Sequence, residues 1–217
     1  MRSDIIFSIL TALMLSLALP PFKLGVLAYW ALIPFFYLLE RKDMKSAGRW
    51  GFLTGVFISL AAGNWSFYTD IASTLAAVLI QPVYYLLYAI LHVALYRKLG
   101  LKCLVVLPFL WTAVEYLKAV SGLDLSRVTL GYTQPQYLFL IQKHSYVAIY
   151  LLSFWVTALN VLIYAVLKNL ENRRKVAVLL FAMMILFFLP WLLIRQHLQI
   201  REVFEELVDV HLKRCWT

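Results

Sequence analysis

The chain has 217 residues, of which 63% are hydrophobic and 14% charged, with a mean hydropathy of +0.81. A soluble domain carries about 25% charged residues, and one of this size lacks the interior to hide so much apolar side chain, so a water-soluble globule is excluded, as are disorder and a disulfide scaffold. The net charge of +9 sits in short clusters between apolar runs, which fits loops at a membrane surface and not a nucleic-acid face.

A bilayer core of about 30 Å takes about 20 helical residues. The segments 4–19, 22–40, 48–67, 71–96, 102–118, 145–167 and 174–194 meet that length. They predict an all-α membrane protein, a polytopic bundle of about seven transmembrane helices, with residues 1–195 as its membrane domain. Pro20-Pro21 interrupts the first two segments and predicts a helical hairpin with a tight corner. Ser16-Leu17-Ala18 imitates a signal-peptide cleavage site, but Asp4 offsets Arg2 and further spans follow, so an uncleaved first helix is expected. In the third segment Ala47, Gly51, Gly55, Ser59 and Gly63 recur every four residues. This ridge suits close helix approach, or alternatively a gap for lipid entry. Asn64-Trp65 ends that segment.

The fourth segment carries Gln81-Pro82, a kink site, and then Tyr84, Tyr88, His92 and Tyr96. This stripe reads as interhelical hydrogen bonding, or as the lining of a lipid path. His92 has no second ligand at helical spacing, so no metal site is expected. The fifth segment holds Glu115, the carboxylate placed within a span. Trp111 and Glu115 share a helix face, and Glu115 and Lys118 stand at pairing distance. The set reads as a site at the mouth of the bundle, or as a satisfied interfacial ion pair. Residues 119–144 form the longest connection and are apolar enough to predict an interfacial or re-entrant segment; Tyr132 and Tyr137 could equally be interfacial anchors. Asn160, in the sixth segment, is expected to be a hydrogen-bond partner.

Basic clusters at 41–49, 97–102 and 168–175 fall on the N-terminal side of this topology, so the N-terminus is expected in the cytoplasm and the C-terminus on the outer face. Cys103 and Cys215 then lie on opposite sides, and no disulfide is expected. The tail 196–217 holds Glu205, Glu206, Lys213 and Cys215, but with no fold to hold them they read as part of an amphipathic helix, not a catalytic set. No phosphate loop, HExxH or nucleophile elbow is present.

Four ordered stretches resemble the N-terminal membrane domain of bacterial apolipoprotein N-acyltransferase. They are Leu17-Ala18-Leu19-Pro20-Pro21-Phe22 with Ala31-Leu32-Ile33-Pro34; Gly51-Phe52-Leu53-Thr54-Gly55 through Asn64-Trp65; Pro108 through Trp111 and Glu115 to Lys118; and Leu130-Gly131-Tyr132-Thr133-Gln134, followed by Ser153-Phe154 and Asn160. The chain departs from the family at Lys118, where Arg is usual, at Ala148 and Leu151, where Gly is usual, and at Asp124, where Pro is usual. The resemblance implies a multi-pass protein of the bacterial inner membrane that takes part in lipoprotein biosynthesis. In the family an acyl chain passes from a phospholipid to a cysteine, and then to the α-amino group of a diacylated lipoprotein.

The family's catalytic Glu-Lys-Cys triad belongs to a nitrilase-like domain that follows the seventh helix. The expectation is therefore a truncated or split form, inactive alone, with 196–217 as a linker; in the split form a separate nitrilase-like subunit would supply catalysis. No catalytic residue and no cofactor is assigned. Trp111, Glu115, Lys118, Tyr132 and Gln134 are the candidate lipid-binding residues. Two alternatives stand: a transporter-like or lipid-binding protein, which would favour an internal repeat not seen here, and a decayed product without activity.

Overall fold

The computed structural model describes residues 2–19, 22, 24–63, 71–121, 129–134 and 147–188, and among these every regular element is helical. The α-helices are α1 (Arg2–Ala18), α2 (Ile33–Glu40), α3 (Met44–Gly63), α4 (Ile71–Leu99), α5 (Leu107–Val120) and α6 (Val147–Lys168), and α7, over 173–188. Three 3-10 turns join them, at Gly25–Tyr29, Gly100–Val105 and Leu130–Thr133. Pro20-Pro21, Asn64-Trp65, Tyr137 and the tail with Glu205, Glu206, Lys213 and Cys215 lie outside the described residues.

Among the described residues two helical stretches are long and apolar enough to cross a bilayer, Val78–Val105 and Ile149–Lys168. The expectation of seven uninterrupted spans is thus met in part. α1 has 17 residues, and α3 opens on Lys45 and Arg49, which lower its hydropathy. The segment 22–40 is not one helix: it turns through Gly25–Tyr29 and becomes α-helical at Ile33, with Pro34 in the first turn. Proline fits there because its missing N–H is one the helix start leaves unbonded anyway. The first half of the segment stays open because Asn160 of α6 takes over its backbone bonds. Its Nδ2 donates to Ala28 O at 2.7 Å, and its Oδ1 accepts from Leu32 N at 2.9 Å.

α3 and α4 pack antiparallel along the predicted small-residue ridge. A Cβ on Gly51 would stand 2.5 Å from Ala89 Cβ, and one on Gly55 would stand 2.6 Å from Pro82 Cα. Ser59 donates to Gln81 Oε1 at 3.3 Å on the same seam. From Gly51 to Ser59 the ridge is therefore filled by its neighbour helix. α4 stops at Gly100, whose φ of 55° is the left-handed conformation that ends helices and that glycine adopts without steric cost.

α1 is built the opposite way from a helix in water. Its inward face carries Ser8, Thr11 and Ser16, all buried, while Ile6, Ile9 and Leu13 are exposed. Thr54 of α3 donates to Ser8 Oγ at 2.9 Å. The centre of the bundle is aromatic. Phe35 stacks on Tyr88, Phe36 lies between His92 and Tyr164, and Tyr88 meets Trp111 edge-on at 4.8 Å. The Tyr/His stripe thus faces inward: Tyr88 and His92 are buried. Glu115 is also not the only carboxylate drawn into the bundle. Glu40, at the last turn of α2, accepts from Tyr96 of α4 and Tyr164 of α6 and pairs with Lys168. Sequence reading left it at a span boundary because its partners are distant in the chain. Nearby, Lys42 pairs with Asp4 at 2.9 Å.

Candidate functional site at the Glu115 end of the bundle

α5 begins with Pro108 in its first turn, and its buried face then carries Trp111, Glu115 and Lys118. These are positions i, i+4 and i+7, one stripe of a helix. The opposite face, with Phe109, Tyr116, Leu117 and Val120, is exposed. As in α1, polar side chains point inward and apolar ones outward.

The Glu115 carboxylate is the fastener of the site. Its Oε1 accepts Trp111 Nε1–H at 2.9 Å and the backbone N–H of Leu130 at 2.9 Å. The second bond ties the turn Leu130–Thr133 to α5. Gly131 donates its N–H to Ser153 Oγ of α6 at 2.9 Å. A Cβ at Gly131 would fall 2.4 Å from Ile149 O, so a glycine is what lets the turn lie against α6. Thr133 closes the turn through a bond from its hydroxyl to Leu130 O at 2.6 Å.

Gln134 joins the turn to the first hairpin. It is fully buried; its Oε1 accepts Tyr29 OH at 2.7 Å and its Nε2 donates to Gly25 O at 3.0 Å. Tyr132 is half-buried. Four of the five residues singled out in sequence, Trp111, Glu115, Lys118 and Gln134, are therefore buried around one turn, and Tyr132 sits on that turn. Sequence reading missed Gly25, Tyr29 and Tyr85; Ser153 it noted only as part of a motif. No local pattern could have signalled Tyr29, which is 105 positions from Gln134.

Glu115 Oε2 makes no close hydrogen bond among the described residues, although the Ser153 hydroxyl lies near the carboxylate. Two small voids touch the Glu115 side chain, each with room for roughly one water. One is lined by Tyr84, Tyr85, Tyr88, Trp111, Val114 and Lys118, the other by Leu15, Leu19, Tyr85, Thr129, Leu130 and Thr133. Lys118 lies one turn further along α5, within electrostatic reach of the carboxylate. A buried carboxylate oxygen without a bond costs on the order of 1–3 kcal/mol or more, so this atom is poised to accept a hydrogen bond from water or from an incoming polar group. No cluster of potential metal ligands occurs among the described residues, and Cys103, buried and free, stands at the other end of α5.

A sequence model of the apolipoprotein N-acyltransferase N-terminal domain matches residues 11–162. The chain belongs to that family. It is 29% identical over 185 residues to the apolipoprotein N-acyltransferase of Geobacter metallireducens, covering 80% of this chain and 35% of that protein. It is 23% identical over 193 residues to that of Chlorobaculum tepidum, covering 87% and 36%. With apolipoprotein N-acyltransferase 1 of Treponema denticola it shares 31% over 130 residues, 58% of this chain and 23% of that one. The chain thus spans about a third or less of the apolipoprotein N-acyltransferases it matches. The matched range contains every residue of the Glu115 site.

Proposed function

We propose that this chain is the membrane-embedded, lipid-holding part of an apolipoprotein N-acyltransferase. In this reading it receives a phospholipid acyl donor and a diacylated lipoprotein at the Glu115 end of the bundle, in the bacterial inner membrane. The inverted faces of α1 and α5 support membrane embedding: exposed Ile6 and Phe109 and buried Ser8 and Glu115 suit lipid, where helices associate through small and polar residues. The basic clusters support a cytoplasmic N-terminus and an outer-face C-terminus.

The observation that carries the site is the Glu115 carboxylate, bonded through Oε1 and open at Oε2. An ionisable group in lipid needs a partner, and an ammonium or α-amino group of a lipid substrate is one that Oε2 can accept from. In this arrangement Glu115, Lys118 and Tyr132 meet the polar end of the lipid, while Trp111 braces Glu115 and Gln134 holds the turn that carries Tyr132. Transfer of the acyl group needs a nucleophile at this end. Among the described residues the cysteine is Cys103, at the opposite end of α5, so in this reading a nitrilase-like domain or subunit supplies the thiol.

The test is binding of a diacylated lipopeptide to the purified chain in lipid nanodiscs, with an α-N-acetylated lipopeptide as comparison. The free-amine form should bind, E115Q should weaken it on the order of tenfold, and no N-acylated product should form until a nitrilase-like subunit is added. Equal binding of both peptides would overturn the role of Glu115. N-acylated product from the chain alone would overturn the division of labour.

A further inference from the structure

A second, larger cavity lies away from Glu115. It is a groove of ≈760 Å³ between the Gly100–Val105 turn, the start of α5, α6 and α7, at the other end of the bundle. That volume lies within the ~300–1,000 Å³ of ligand pockets. Its floor is one stripe of α6, from Phe154 through Ala158, Leu162 and Ala165 to Asn169, a path of about 22 Å at 1.5 Å per residue. That exceeds the ~15 Å depth of one leaflet's hydrocarbon. The Phe109 and Phe154 rings, 4.8 Å apart, wall its apolar end. At the other end the lining turns basic, with Lys102, Arg174 and Lys175, all exposed.

Two of these cations sit where a helix does not favour them. Asn172 Oδ1 accepts Lys175 N–H at 3.1 Å, which makes Asn172 the cap of α7 and puts Arg174 and Lys175 in its first turn. The positive end of the helix dipole repels cations there and attracts an anion. No ion pair to a carboxylate is present at Lys102, Arg174 or Lys175 among the described residues.

We infer that this groove holds an anionic phospholipid, with an acyl chain along the α6 stripe and the phosphate between Lys102, Arg174 and Lys175. Basic pockets between membrane helices suit such headgroups. An apolar helix of another protein would fill the hydrocarbon end but leave the three cations without a counter-charge. The inference rests on the membrane reading above and not on the Glu115 site, from which it is separated by the length of α5.

Native mass spectrometry of the purified chain, equilibrated with equal phosphatidylglycerol and phosphatidylethanolamine of matched chains, tests it. The chain should retain phosphatidylglycerol preferentially. The K102Q/R174Q/K175Q variant should lose that preference on the order of tenfold, A158W should lose the retained lipid, and K45Q/R49Q, on α3, should match the parent. An unchanged preference in the triple variant overturns the inference, and so does an equal loss in K45Q/R49Q, which would mean diffuse surface attraction. Should A158W lose its fold, the triple variant, whose changes are on the surface, still decides. Lipopeptide binding at Glu115 should be unaltered in the triple variant, so the two proposals fail separately.

Discussion

Glu115 shows how one side chain can serve both the fold and a site. Its two oxygens are inequivalent: Oε1 accepts from Trp111 and Leu130, while Oε2 makes no close bond among the described residues. Removing the side chain and changing its charge therefore have different consequences. E115A leaves two buried donors unbonded, and the chain should lose about 2 kcal/mol or more of stability. E115Q keeps an acceptor for both donors and should stay within about 1 kcal/mol. Thermal unfolding in detergent micelles reads the difference; equal losses would mean that the bonds at Oε1 contribute nothing. Asn160 is a purely structural counterpart, since each of its polar atoms is bonded to the backbone of the first hairpin or of its own helix. N160A should cost about 1–3 kcal/mol in the same measurement, leaving lipopeptide affinity unchanged in the fraction that folds.

Among the helix pairs, α3 and α4 are tightly seated along their length. The backbones approach until a methyl at Gly51 would stand 2.6 Å from Tyr85 O, closer than any carbon and oxygen rest. G51V must push α4 away, and Tyr85 and Tyr88 of α4 carry Trp111 on the other side. The variant should lose about 1–3 kcal/mol and also weaken lipopeptide binding, because Trp111 supports Glu115. The lipid-binding assay and the unfolding curve should move together. A variant that unfolds earlier with unaltered affinity would separate the seam from the site. α6 is the other organising element. It reaches the first hairpin through Asn160, the Leu130–Thr133 turn through Ser153, Glu40 through Tyr164 and α7 through Trp155, whose Nε1 donates to Leu186 O at 2.6 Å.

At the scale of the molecule, polar chemistry is divided between the ends. Glu115, Lys118 and Gln134 gather at one end, and Glu40 with Lys168, Tyr96 and Tyr164 at the other, with aromatic packing between. The proposed orientation puts the Glu115 end outside. Single cysteines at Ser121 and at Glu171, in a chain whose own two cysteines are replaced by serine, should be labelled from opposite sides of oriented vesicles. Exchanged sides would reverse the topology, and labelling of both positions from one side would abolish it.

The residues alone determined a good deal of this. Composition and apolar run length specified an all-helical chain, four-residue spacing marked the ridge of α3 that another helix approaches, and i, i+4 geometry joined Trp111 to Glu115. Such features are local, because a helix puts near neighbours in sequence on one face whatever surrounds it. The break in 22–40, the Gln134–Tyr29 bond, the Asn160 clamp and the capture of Glu40 were decided only by the tertiary structure. Each depends on partners more than fifty positions away, and in a bundle the register between distant helices follows from packing every side chain at once.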